Sequence, residues 1–439
     1  MKNNNINFSF DRKKIWSDFK NHIKNLSIAG KLIWLLAALG LVLIIYRYAT
    51  GLGAVTNLSD GYPWGFWIGF DILAGIALAA GGFVMAGTVH LFGGHKYHAL
   101  AKPAILTALL GYLLFIFGLM FDLGRPWNLW RAIYSWNHTS PMFEVAWCVM
   151  LYTTVLILEF IPVVLEKLKL DKLIVLWKNM VPWIVIFMLG MFTLAMSYSF
   201  VWAGIMVFIL LVWEISMRKG WMPRDKQMPI ILIMAGVMFS TMHQSSLGTI
   251  FLLAPNKLHV LWYTPILPLL SLFSAIMAAP AMVIFESLMS EKILKHKSRF
   301  DLLSGIAKWV PYLLGVYLII KIGDLIVRGV IFETATFSTQ AISWWLEVLI
   351  GVVIPFIMFV LPNTIRTKSG MLWASTFVIV GLVWNRLNLA IVGIIVEGWE
   401  TYYPLWSEIF ISIGVVAIGL IVFRWAVENL PIYEHKIAA

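Results

Sequence analysis

An all-α, polytopic transmembrane bundle is the fold class this sequence predicts, and three observations carry it. Hydrophobic residues are 61% of the 439-residue chain and charged residues only 13%, which leaves too little polar surface to cover a soluble domain. Twelve apolar stretches are each long enough to cross a bilayer, where a helix needs ~20 residues to span ~30 Å. The basic residues between them fall on alternate connections, which makes the orientation readable.

In chain order the spans read Lys31 to Tyr48, Trp64 to Phe92, Ala101 to Leu123, Pro141 to Leu165, Trp177 to Met196, Phe200 to Met217, Met228 to Leu253, Trp262 to Ser290, Ile306 to Val327, Ala341 to Leu361, Met371 to Gly393 and Leu405 to Val427. Several exceed the minimum and must tilt or protrude. The fifth and sixth form one apolar run broken only around Ser197, Tyr198 and Ser199. A single helix of that length would overshoot the membrane, so the run reads as a tight helical hairpin.

Threaded from an inside N-terminus, twenty-six of the 33 Lys and Arg residues lie on inner segments, and five (Arg47, Arg125, Arg131, Lys257 and Arg328) on outer ones. The positive-inside rule then puts both termini in the cytoplasm. The net charge of +11 follows from the same asymmetry and from contact with anionic lipid, and it carries no nucleic-acid signal. Residues 1–30 are basic and polar, with Ile15, Trp16, Phe19, Ile23 and Leu26 at helix-like spacing. They read as a cytoplasmic interfacial segment and an uncleaved anchor rather than a signal peptide. Residues 31–430 form the transmembrane domain and 431–439 a cytoplasmic tail.

The one cysteine, Cys148, sits inside a span. This excludes an intramolecular disulfide, a CxxCH haem attachment and a cysteine-ligated iron–sulfur cluster in this chain. Gly-rich phosphate loops and nucleophile elbows are absent, so nothing points to a self-contained hydrolase or ATPase.

Ionisable groups at membrane depth are costly and usually functional, and most of those here fall in the outer half. Asp71 lies about two turns into the second span, Asp122 closes the third before Arg125 to Arg131, and Glu144 opens the fourth. His243 and Gln244 lie in the outer part of the seventh, and Lys321, Asp324, Glu347 and Arg386 in the outer parts of the ninth, tenth and eleventh. A quinone needs a greasy slot for its tail and proton-exchanging groups at its carbonyls, which His, Asp and Glu supply. The competing reading is buried ion pairs that fix helix packing, for which Lys321 with Asp324, and Glu347 with Arg386, are suited.

Asp71, Asp122 and His243 have no charge partner among their chain neighbours and are favoured as chemical groups. Trp64 and Trp127, beside the acids, are candidates for stacking on a quinone ring. His90, near the inner end of the second span, is either interfacial or one step of a proton path from the cytoplasm. Within the spans only His90 and His243 occur, at different depths. A b-type haem held by two facing histidines is therefore not expected, and electrons must come from a partner.

Several of these stretches carry a resemblance. Asn57 to Gly65 running on to Phe70 and Asp71, then Asp122-Leu123-Gly124-Arg125 with Trp127-Asn128-Leu129, and Thr241-Met242-His243-Gln244-Ser245-Ser246-Leu247-Gly248 are similar to signature stretches of the NrfD/polysulfide-reductase membrane-subunit superfamily, in particular its HybB-type branch. Lys257 to Trp262, Leu267 to Leu269, Ile284 to Glu286, Trp345 to Glu347 and Tyr403 to Glu408 also fit, so the resemblance covers roughly 31–430. It implies a cofactor-free helical subunit of the bacterial inner membrane that binds exchangeable menaquinone or ubiquinone toward the periplasmic face. It also implies docking of a periplasmic iron–sulfur subunit, with nickel–iron hydrogenase subunits as the expected enzyme. Asp122 and His90 match an outer acid and an inner histidine of a proton route in related subunits. Glu144, Gln244 and Arg125 join the expected quinone-binding set.

Chains of the HybB type usually pass from the fourth span almost directly to the helix carrying the MHQSS stretch. Here about 177–217 adds a hairpin, giving twelve spans where about ten are expected. Two other functions compete with quinone reduction: quinol oxidation feeding a periplasmic reductase or multihaem cytochrome, and secondary transport. Transporters commonly show broken helices and inverted repeats around a midplane site; here the polar residues gather toward one face and no repeat is legible.

Overall fold

The computed structural model describes residues 26–62, 64–221, 229–294, 298–396 and 402–433. Of the expected interfacial segment over residues 1–30, residues 1–25 lie outside the described residues and the first membrane helix already begins at Ile28; Pro63 and, of the expected tail over 431–439, residues 434–439 also lie outside. Among the described residues twelve helices are long and apolar enough to cross a membrane: α1 (Ile28–Thr50), α2 (Gly65–His90), α3 (His95–Asp122), α4 (Pro141–Lys167), α5 (Asp171–Ser197), α6 (Phe200–Arg218), α7 (Ile230–Leu252), α8 (Leu267–Leu294), α9 (Phe300–Val327), α10 (Thr339–Val360), α11 (Lys368–Val392) and α12 (Trp406–Asn429). Among the described residues the one β feature is an isolated bridge between Leu258 and Ile394, as expected where backbone groups must be satisfied within each segment. An even number of crossings puts Ile28 and Asn429 on one face, called proximal here; the other is distal.

The break between the fifth and sixth spans falls where the sequence puts it. α5 ends at Ser197, Tyr198 takes a left-handed conformation (φ 52°, ψ 24°), and its N–H closes on the Leu194 carbonyl at 2.9 Å. Ser199 then caps α6 by accepting the Trp202 N–H at 3.4 Å. This end geometry satisfies carbonyl and N–H groups that the membrane would otherwise leave bare. The hairpin lies against α4 and α7 on the outside of the bundle.

The central helix is α2, while α1 and α6 are the most exposed. α1 packs antiparallel on α12 at a point where a Cβ on Gly40 would stand 2.6 Å from the Gly414 Cα. Only glycines allow that approach, and in lipid close backbone packing is what holds helices together.

The distal connection before α2 is tied to the start of α12. The Glu408 carboxylate accepts the Asn57 N–H at 3.0 Å, the Leu405 N–H at 3.1 Å and the Tyr402 hydroxyl, and the Trp67 indole donates to the Glu408 carbonyl at 3.1 Å. Burial and the neighbouring Glu408 push the Tyr402 phenol well above its ordinary range, so it stays a neutral donor. This tie fixes the entry to α2, which carries Asp71 four residues after Trp67.

Two groups of helices position the polar residues. α2, α3, α4 and α7 pack together, and α8, α9, α10 and α11 form the second group, joined to the first through α7 and α2. Three helices contain π-helical turns, at Ile68–Ala74 in α2, Leu349–Val353 in α10 and Asn388–Val392 in α11. Such turns widen the helix and commonly accompany functional residues.

Candidate functional site

Between α2, α3, α4 and α7, at the distal end, lies a cavity of about 580 Å³. Its lid is the 3₁₀ segment Pro126–Ile133, which begins where Gly124, Arg125 and Pro126 stop α3. Trp64, Ile68 and Ile72 form one wall, Phe115, Leu119 and Leu123 a second, Val145 and Val149 a third, Leu247 and Phe251 a fourth, with Trp127 and Trp130 across the top. Trp64 is held edge-on against Phe251, ring centres 4.6 Å apart. The volume falls within the ~300–1,000 Å³ of small-molecule sites, and the lining is apolar and aromatic. Such a chamber suits a flat ring with a hydrocarbon tail.

None of the acids lines this chamber; Asp71, Asp122 and Glu144 are each next in sequence to one of its wall residues. Asp71, in the π-helical turn beside the wall residue Ile72, accepts a hydrogen bond from Ser412 of α12 at 2.5 Å. It packs against Gly118 of α3, where a Cβ would stand 3.3 Å from its own Cβ. Asp122, next to the wall residue Leu123, lies within electrostatic reach of Asp71, Glu408 and Arg47. Arg47 is buried and spends its guanidinium on the end of α3, donating to the Phe121 carbonyl at 2.7 Å and the Leu123 carbonyl at 2.8 Å. Arg47 of α1 is thus a basic group within electrostatic reach of Asp122, but its guanidinium bonds backbone carbonyls and forms no ion pair with it. On the opposite side Glu144, beside the wall residue Val145, accepts the Ser246 hydroxyl at 2.8 Å.

His243 stands apart from the cavity. Its side chain is fully buried near the middle of α7, and Phe115, a wall residue, lies between them with its ring centre 6.0 Å from the imidazole. Thirteen residues of α7 precede it from Ile230, ~20 Å at 1.5 Å per residue, so it stands just past the helix midpoint toward the distal end, four residues before the wall residue Leu247. Its other neighbour is Tyr112, 5.8 Å away, which packs on Tyr152 at 4.6 Å. Ser240, one turn below, faces both phenols. Neither nitrogen of His243, nor the Tyr112, Tyr152 and Ser240 hydroxyls, has a hydrogen-bond partner among the described residues.

The remaining candidates are dispersed. Gln244 donates to the Ile76 carbonyl at 3.0 Å and so ties α7 to α2. Arg125 is exposed at the distal surface. His90 is half-buried at the proximal end of α2, its ring 6.0 Å from that of His98. It lies nineteen residues from Asp71, ~28 Å along the helix.

Nearer the proximal end, among the described residues, are two buried acids without a place among the sequence candidates, Glu159 of α4, beside Gly236, and Glu214 of α6, paired with Arg218 at 2.7 Å; the half-buried Glu286 of α8 accepts the Thr107 hydroxyl at 2.5 Å. The available signal for Glu159 was its own span, since an uncompensated acid in a run as apolar as Met150 to Val164 is as costly as Asp71.

In the second helix group the ion pairs differ from those expected. Lys321 pairs with Glu347, not Asp324, and the Glu347 carboxylate also accepts Asn385 at 2.9 Å, the Trp262 indole at 3.0 Å and Asn388 at 2.7 Å. Asp324 pairs with Arg328 at 2.7 Å and accepts the Thr264 hydroxyl at 2.6 Å. Arg386 meets no carboxylate at ion-pair distance among the described residues and donates to the Ser271 carbonyl, the Ser274 hydroxyl and the Asn385 side chain. Helix geometry explains the change: Glu347 is better reached from α9 than from its own neighbour α11, and Arg328 follows Asp324 by one turn on the same face.

Residues 54–397 match the family described as Polysulphide reductase, NrfD. A protein of Nitratidesulfovibrio vulgaris is 34% identical over 431 residues, covering 94% of this chain and 97% of its own. The probable Ni/Fe-hydrogenase 2 b-type cytochrome subunit of Escherichia coli is 30% identical over 401 residues, 89% of each chain. The menaquinone reductase integral membrane subunit of N. vulgaris is 24% identical over 412 residues, 88% of this chain and 87% of its own.

Proposed function

For a chain that belongs to the NrfD polysulphide reductase family, we propose the role of quinone-reactive membrane subunit in a respiratory oxidoreductase complex. It passes electrons between an iron–sulfur or hydrogenase-type partner on the distal face and the membrane quinone pool. The observation that carries this reading is the 580 Å³ apolar and aromatic chamber at the distal end, with Asp71, Asp122 and Glu144 each next in sequence to a wall residue. The relatives named for a hydrogenase and a menaquinone reductase support it. The distal face is the periplasmic one, because the connections on that side carry few Lys and Arg residues.

Reducing a quinone takes two electrons and two protons, and the residues of this chain attend to the protons. Trp64 and Trp127 hold the ring, while Asp122 and Asp71 stand where a carbonyl at the chamber margin would draw a proton. Arg47 fixes the end of α3 and keeps a positive charge beside Asp122. Glu144, held by Ser246, serves the opposite margin. His243 acts one layer behind the wall: with Tyr112, Tyr152 and Ser240 it forms a buried polar core, and groups so buried are normally satisfied by internal water. His90 marks the proximal end of the same route. The rings around His243 are those of Tyr112 and Phe115, with no second histidine beside it among the described residues. Bound haem is therefore not part of the proposal.

The test is to fill the chamber. Leu119→Trp should leave the complex assembled and the partner active with an artificial electron acceptor, while quinone-coupled turnover is lost. Unchanged quinone turnover in that variant would move the site elsewhere.

A further inference from the structure

In the distal part of the second helix group, Arg386 has no carboxylate at ion-pair distance among the described residues. Lys321 is matched by Glu347 and Arg328 by Asp324, and both carboxylates are saturated with donors. Arg386 is 4% exposed and always charged. Three hydrogen bonds go from its guanidinium to neutral oxygens, those of Ser271, Ser274 and Asn385, which leaves two of its five N–H donors. A buried cation without a counter-charge costs several kcal/mol.

Beside it lies a small cavity, of about 20 Å³, bordered by Arg386, Lys321, Ser271, Asn385, Thr264 and Asp324. That is room for one water-sized occupant, for which ~10–15 Å³ suffices. Lys321 and Arg386 contribute positive charge to its walls, and the only acid, Asp324, is already held by Arg328 and Thr264. A π-helical turn follows Glu347 at Leu349–Val353 and another begins at Asn388. The two helices touch backbone to backbone there, a Cβ on Gly351 standing 2.6 Å from the Gly381 Cα. The α11 turn begins two residues after Arg386, at the edge of the cavity.

We propose that this cavity, between Arg386 and Lys321, is a binding site for one small monovalent anion, chloride in the cell, which neutralises Arg386 and joins α8, α9 and α11. The proposal is independent of the quinone chamber, which lies in the other helix group.

The test uses the full chain in detergent, at constant ionic strength, with chloride replaced stepwise by gluconate. Chloride should raise the melting temperature saturably, as binding to the folded state requires. Arg386→Gln, which keeps the hydrogen bonds to Ser274 and Asn385 within reach but removes the charge, should abolish the dependence. Equal melting in chloride and gluconate overturns the proposal. Should Arg386→Gln fail to fold, the unmodified chain still decides: crystals grown in bromide should show an anomalous peak between Arg386 and Lys321, and a cavity without one means water alone.

Discussion

The two helix groups bury ionisable residues at similar depth and treat them in opposite ways. Around Glu347 every acceptor is used: lysine, indole and two amides converge on one carboxylate. Around the distal chamber the acids are thinly held, Asp71 by a single hydroxyl and Glu144 by another, while His243 and its phenol neighbours have no protein partner among the described residues. A saturated carboxylate is locked in one protonation state and serves as a fastener. A sparsely held one can take and release a proton at modest cost, which is what quinone chemistry needs.

The sharpest way to break this contrast is at His243. His243→Ala should leave assembly intact but lower quinone-coupled turnover by ~10²- to 10⁴-fold, the usual loss for a proton-transfer group, while activity with an artificial acceptor persists. Normal quinone turnover in an assembled variant would make it a packing residue. The opposite outcome is expected at Glu347. Glu347→Ala strands Lys321 and should cost ~3–5 kcal/mol of stability, seen as lost yield and a lowered melting temperature. If it instead assembles normally and fails only in turnover, the fastener reading is wrong.

How far the sequence anticipates this contrast differs by residue. All twelve spans and the Tyr198 hairpin are legible, because lipid forces every backbone group into a helix and hydropathy reports it directly. The gathering of Trp64, Trp127, Asp71 and Asp122 at one end is legible too, since topology alone sets depth. Partner choice across helices is not. Lys321 to Glu347 and Arg47 to the end of α3 depend on which faces meet, and span hydropathy is nearly featureless around the helix axis. His243 shows the same limit: the sequence places it in the right helix, but whether Phe115 stands between it and the chamber is a matter of rotation.

Two smaller effects sharpen the account of the chamber. Trp64→Ala should raise the quinone KM by roughly 3- to 10-fold, for the ~0.5–1.5 kcal/mol of a lost aromatic contact, with kcat little changed. A larger fall in kcat than in affinity would mean that Trp64 orients the ring rather than merely holding it. Ser246→Ala removes the bond to Glu144, worth ~1 kcal/mol. It should lower kcat/KM about fivefold, and rescue by Ser246→Thr would separate this from a packing defect.

The central claim is that quinone occupies the distal chamber rather than another hollow of the molecule, and the obvious rival is the groove of about 690 Å³ between Trp34 of α1 and Trp425 of α12 at the proximal end. Photolabelling the membrane-embedded complex with an azido-quinone, followed by peptide mapping, distinguishes them. Labels on Trp64, Leu119, Trp127 or Met142, suppressed by excess natural quinone, are the expected result; competed labels confined to residues 26–34 and 420–428 would contradict it.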